Sequence, residues 1–320
     1  MTFPLVVAVL ALLACALVGR AANFAVARMR PAQAVVLLAV AALAVSLASG
    51  MALTAIAVAA IAALASVASE GHWSAATIRA QVPVPGWLGV FAAAAVVVLL
   101  LRAAIRTAGI MLALVRADRL CRDIRAGGGP VVILDDDSAD AFTVAGVRGC
   151  VVISARLMAQ LNSDERRVLT AHELSHLRKR HHLYVHVADI AAAGNPFLRR
   201  VSAAVRLGVE RWADEDAAAG IGDRRIAGRA LARVALLRSA LARAASTAPL
   251  MGGAASVLGI GGLQVATRVQ ALLEPAPRPH MLRLAALVVM SLTVLYLGAA
   301  SVAQIHQAIE AAAQNLHSHR

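Results

Sequence analysis

Val168-Leu169-Thr170-Ala171-His172-Glu173-Leu174-Ser175-His176-Leu177 contains no proline or glycine, and its flanks favour a helix. Residues i and i+4 share one helix face, so His172 and His176 can point at one metal ion with Glu173 beside it. With ten histidines in 320 residues, the spacing H-E-x-x-H arises by chance about 0.01 times per chain of this composition. A zinc ion there would activate a water for attack on a peptide carbonyl, and Glu173 would take its proton. The bland alternative is a charged helix face with two unrelated histidines.

Such a site needs a third ligand, and two candidates compete. His182 lies ten residues after His172, but a chain that turns back to the metal there calls for glycine at 179, where Lys179 stands. On an unbroken helix His182 would be about 15 Å along the axis from His172. The run from Arg178 to His182, with His186 beyond, reads as a solvated or headgroup-facing basic surface. Glu210 is the stronger candidate. In Glu210-Arg211-Trp212-Ala213-Asp214 two carboxylates stand at i and i+4, so Glu210 can bind zinc while Asp214 accepts the free N–H of a ligand histidine. The alternative pairs them with Arg206 and Arg211 on an exposed face.

Outward from this island the chain is apolar: 60% hydrophobic, 3% aromatic and 15% charged. A purely soluble enzyme is excluded by four runs long enough to enter a bilayer. The first spans roughly Phe3 to Val18 and reads as a retained span, not a signal peptide. The second, Ala32 to Ser69, is about 55 Å long if helical, against a bilayer core of roughly 30 Å. It is one tilted span with an extension, or two hinged near Gly50. The third runs from Trp87 to about Ile105 and continues through Gly109 to Val115; the fourth covers about Leu284 to Val302.

The formal net charge is +13, nearly all of it arginine, since Lys179 is the only lysine. Arg20, Arg28 and Arg30 follow the first span, Arg102 through Arg125 follow the third, and Arg278 and Arg283 precede the fourth. The connection from Glu70 to Gly86 carries Arg79 alone. Four spans with an outside N-terminus place every cluster in the cytoplasm, so the expectation is a multi-pass protein of the plasma or inner membrane. Anionic lipid explains this charge better than nucleic acid, and no direct nucleic-acid binding is expected. The cores of the runs hold no Asp, Glu or Lys, which disfavours a transporter. Cys15, Cys121 and Cys150 show no metal or disulfide spacing and read as small apolar residues.

Between the third and fourth runs, Val131 to Leu134, Phe142 to Val144 and Cys150 to Ile153 read as strands, with turns over Asp135-Asp136-Asp137 and Gly146 to Gly149. Asn162 and Glu165 form a capping-box pattern that opens the helix of His172, which is expected to run to Gly194-Asn195-Pro196. Helices from about Phe197 to Ala219 and from Arg224 to Ala244 follow. Ser246 to Gly262 is glycine-rich and reads as a loop. Its Gly259-Ile260-Gly261-Gly262 lacks the setting of a nucleotide site.

Phe142, Val151-Val152-Ile153-Ser154, His172-Glu173-Leu174-Ser175-His176, Asn195-Pro196 and Glu210-Arg211-Trp212-Ala213-Asp214-Glu215, in that order, resemble the BlaR/MecR family of integral-membrane zinc peptidases. The likeness covers roughly residues 130 to 275 and the layout of three spans, peptidase and fourth span. Asn195-Pro196 favours it over the related HtpX and prenyl-protein protease group, which shares the zinc residues. It implies a mainly α membrane protein with an inserted α+β gluzincin-type peptidase and a small β-sheet. The expected divisions are 1–125 (three transmembrane helices and a cytoplasmic extension), 126–280 (cytoplasmic peptidase) and 281–320 (last span and a short external tail).

The resemblance also implies one zinc per chain on His172, His176 and Glu210, with Glu173 as general base, and a protein or peptide substrate, specifically a DNA-binding repressor cleaved after an external signal. Phe142, Val144, Val152 and Asn195 are the substrate-binding candidates, because an edge strand within Phe142 to Ile153 can pair with an extended peptide. The antibiotic sensors of that family carry a penicillin-binding domain after the fourth span. Here the sequence ends at Arg320, so a peptidase core without that sensor is expected. Two other readings are HtpX-like quality control of membrane proteins and a non-proteolytic signalling scaffold. The scaffold has no use for Glu173.

Overall fold

A computed structural model of the chain describes residues 2–124, 129–135, 141–146, 149–245, 254–276 and 281–318. Helix α1 (Phe3–Arg28) stops where Arg30 precedes Pro31, since a proline disfavours helical backbone in the residue before it. Pro31 then opens α2 (Pro31–Ala62), because a fixed φ and a missing N–H suit the first helical position. α2 passes unbroken through Gly50, so the long second run makes one long helix and then the short α3 (Ala65–Gly71). Helix α4 (Ala75–Gln81) is capped by Ser74, whose Oγ accepts the Thr77 N–H. Arg79, the lone arginine of this connection, donates to the Ala63 carbonyl at 3.0 and 3.2 Å and so caps the end of α2. The third run and its continuation form the single helix α5 (Gly86–Ile124).

Three short strands follow: β1 (Val131–Leu134), β2 (Ala141–Val144) and β3 (Cys150–Ser154). The order is β1-β3-β2, with β1 parallel and β2 antiparallel to β3. All of β3 is buried. Val151 and Ile153 pack with Leu157, Leu161, Leu169 and Val234, while Cys150 and Val152 join Val144 and Cys121 from the end of α5. Cys121 and Cys150 stand paired at disulfide-compatible spacing, their Cα atoms 5.8 Å apart. This corrects the reading of both as isolated apolar residues: 29 positions apart in sequence, they meet only because the sheet docks on α5.

Helix α6 (Ala155–Ala159) is capped by Ser154. In α7 (Ser163–Arg178) the capping box is complete, each of its two bonds 2.9 Å long. The expected continuous helix to Gly194 is not found. Arg180 takes a left-handed conformation, φ 52°, and a new helix α8 (His181–Gly194) begins. A 3-10 turn (Pro196–Leu198) leads into α9 (Arg199–Ile221), which ends at Gly222 with φ 81°. Helices α10 (Arg224–Ala245) and α11 (Ala254–Leu273) pack together. The expected loop is therefore helix from Ala254 onward. A glycine costs only about 1 kcal/mol in a helix, which packing overrides. Helix α12 (Met281–Ser318) closes the chain. Asp136, Asp137, residues 147–148, 246–253, the boundaries at 126 and 280, Arg125, Arg278 and Arg320 lie outside the described residues.

Among these, α1, α2, α5 and residues Ala285–Asn315 of α12 are long and apolar enough to cross a membrane. α2 is their hub, packed against α1, α5, α8, α9 and α12. Gly298 brings α12 so close that an added Cβ would stand 3.0 Å from the Ala48 Cα. The hairpin of α8 and α9 drives its tip between these helices. Asn195 Nδ2 donates to Ser49 Oγ at 3.0 Å and to Cys15 Sγ at 3.2 Å, and Ser46 Oγ donates to the Ala191 carbonyl at 3.0 Å. Farther along α8, Asp189 is held by Ser202, Arg106 and Arg206.

Candidate metal centre

His172 and His176 leave the same face of α7, and Glu210 faces them from α9. Their Nε2 atoms are 3.2 Å apart, and the Glu210 carboxylate oxygens lie 3.7 Å from His172 Nε2 and 3.6 Å from His176 Nε2. Metal–ligand bonds of about 2.0–2.1 Å at tetrahedral angles put donor atoms roughly 3.3–3.4 Å apart. The two nitrogens match that spacing, and the Glu210 carboxylate turns one oxygen toward each of them, so that one donor atom from each residue lies within 4.8 Å of the others. These are the donors that could hold a metal ion among the described residues.

The ligand set is braced from behind. Asp214, one turn after Glu210, stands with Oδ1 3.1 Å from His172 Nδ1. Arg268 of α11 donates to both Asp214 oxygens at 2.7 Å, and its third nitrogen lies 2.9 Å from Glu210 Oε2. Burial works against the Asp214 charge, yet Arg268 and His172 hold its carboxyl at about 2. Burial likewise opposes a charged His172, but Asp214 outweighs it and raises that pKa. Burial and the neighbouring His172 lower the pKa of His176. The Arg268 guanidinium resists deprotonation because Asp214 more than offsets its burial.

Glu173 leaves α7 toward β2, where Thr143 Oγ1 lies 2.8 Å from Glu173 Oε2 and 2.9 Å from the Glu173 carbonyl. That contact ties the metal helix to the edge strand of the sheet. A cleft of about 510 Å³ runs across the site. Phe142 and Thr143 of β2 line one wall and Val265, Arg268 and Leu272 of α11 the other, while His182 and His186 of α8 border it toward the spans.

Phe142 thus stands in the cleft, 44% exposed. The other substrate-binding candidates do not. Val144 and Val152 point into the buried cluster with Cys121 and Cys150, and Asn195 is the buried anchor between α1 and α2. Val144 shares its face of β2 with Phe142 but is buried against Cys121, Cys150 and Val152, and central strand β3 has both edges paired. His182 lies on the cleft wall and not among the metal donors.

Three contributors escaped the sequence reading. Thr143 looked like an ordinary strand residue. Arg268 carries a legible signal, because Val265, Arg268 and Leu272 share one helical face and a charge on an apolar face demands a partner. The sequence places His181 in the solvated basic run, but it is 1% exposed, with Nδ1 3.0 Å from His176 Nδ1. Burial, with the nearby His176, lowers its pKa to about 3.

The model of peptidase family M48 matches residues 114–290, more than half of the chain and all of this site. The chain belongs to peptidase family M48. Neither the curated proteins nor the solved structures compared with it returned a match. M48 membership makes the chain a metallopeptidase, a hydrolase acting on proteins or peptides. Four helices of this M48 peptidase are long and apolar enough to cross a membrane.

Proposed function

We propose that this M48 peptidase is a membrane-embedded, zinc-dependent endopeptidase. The observation that carries the reading is the convergence of His172, His176 and Glu210, one donor atom from each within 4.8 Å of the others, beside Glu173 in a cleft walled by an edge strand. A bound zinc ion would lower the pKa of a water and polarise the scissile carbonyl. Glu173 takes the proton of the attacking water and passes it to the leaving amine. Thr143 orients that carboxylate, while Asp214 and Arg268 fix the ligand side chains. The substrate lies as an extended strand along β2, whose partner in the sheet is β3 on the opposite edge, with Phe142 contacting its side chains.

The peptidase occupies residues 126–280 on the arginine-rich, cytoplasmic side of the bilayer, between three N-terminal spans and a fourth. The BlaR/MecR resemblance supports a repressor substrate cleaved after a signal, and the α8–α9 tip between α1 and α2 gives the spans a mechanical path to the ligand Glu210. A second reading is HtpX-like quality control of damaged membrane proteins. Comparative proteomics of cells carrying wild type or Glu173→Gln separates the two. A DNA-binding repressor that disappears after a stimulus only in wild type supports signalling. Accumulation of many membrane proteins in the variant, with repressor levels unchanged, overturns it in favour of quality control.

A further inference from the structure

His181 opens α8 directly after Arg180, one of two non-glycine residues with positive φ among the described residues. Side chains with a Cβ disfavour that conformation, so the turn is specified by what it positions. It folds the chain back and sets His181 Nδ1 3.0 Å from His176 Nδ1. His176 directs its other nitrogen, Nε2, to the ligand cluster. An imidazole that ligates through Nε2 while neutral carries its proton on Nδ1 and must donate it. His181 Nδ1 then accepts, and the His181 proton resides on Nε2, an atom buried without a hydrogen-bond partner. The indole of Trp212, its centroid 4.7 Å from that of His181, backs the ring from α9 between Glu210 and Asp214.

We propose that His181 is a positioning residue: its Nδ1 accepts the Nδ1 proton of His176 and fixes that ligand's tautomer and orientation, as Asp214 does for His172. The inference rests on the metal-site reading above. The two ligand histidines are thereby supported differently, one by a buried carboxylate and the other by a neutral ring. The competing account is that His181 merely fills space against Trp212.

Amide side chains separate the two. Asparagine places its oxygen near the position of histidine Nδ1, and glutamine places its oxygen near Nε2; phenylalanine keeps a ring with no acceptor. Zinc affinity would be measured by chelator competition on the purified full chain for wild type, His181→Asn, His181→Gln and His181→Phe. Cobalt(II) absorption spectra and melting temperatures of the metal-free forms would accompany it. His181→Asn should bind zinc close to wild type and keep its cobalt bands, whereas His181→Gln and His181→Phe should weaken binding about 10–100-fold and shift the bands. His181→Phe binding like wild type, or His181→Asn as weak as His181→Gln, would overturn the proposal. Should His181→Phe not fold, the asparagine–glutamine comparison decides. Failure of wild type to bind zinc would instead overturn the metal-site reading itself.

Discussion

At the residue scale, the centre depends on charges that burial alone would not tolerate. Asp214, 3% exposed at its side chain, stays ionised because Arg268 and His172 hold it. Its pKa is depressed on folding, so its contribution is present above the unfolded value of about 3.9 and is lost as pH falls toward about 2. Acid unfolding of the metal-free protein, followed by circular dichroism, should therefore show a stability loss between roughly pH 4 and pH 2 that is absent in Asp214→Asn. Arg268→Met leaves the Asp214 and Glu210 carboxylates without their cation, and removing one partner of a buried pair costs about 3–5 kcal/mol. A lower melting temperature and an acid transition moved to higher pH are the expected outcomes. Glu210→Ala should lose metal by elemental analysis. Retention there, with loss in His182→Ala, would transfer the third-ligand role to His182.

At the element scale, the parts legible in the sequence are those with local causes. Asn162 and Glu165 announce the start of α7, and the strand runs Val131–Leu134 and Cys150–Ser154 follow from branched apolar residues between turns. The break at Arg180 has no local cause: Lys179-Arg180-His181-His182 contains neither proline nor glycine. Tertiary contact decides it, through His181 against His176 and Trp212. The same holds for α11, where packing on α10 overrides the glycines. Arg180→Gly should be tolerated in thermal denaturation, while Arg180→Val, β-branched at positive φ, should destabilise by about 1–2 kcal/mol. Equal melting temperatures for the two variants would mean that the turn carries no strain.

At the scale of the whole molecule, four apolar helices and the peptidase elements are joined through the α8–α9 tip, whose anchors Cys15, Ser46 and Ser49 lie within α1 and α2. Composition reveals the spans, but the wedge rests on polar contacts between residues more than 140 positions apart, which periodicity does not encode. A cytoplasmic peptidase predicts that reporters fused near Ala126 and Ser246 read as cytoplasmic and one at Arg320 as external. Reporters reading external at Ala126 and cytoplasmic at Arg320 would invert the orientation and remove access to a repressor. The central claim is that Glu173 acts on a substrate water beside a metal held by three other side chains. Its most direct test is the rate of peptide hydrolysis by purified Glu173→Gln at verified zinc content. The account predicts about one zinc per chain, as in wild type, with the rate lowered at least about 10²–10⁴-fold; zinc-loaded Glu173→Gln hydrolysing at the wild-type rate would contradict it.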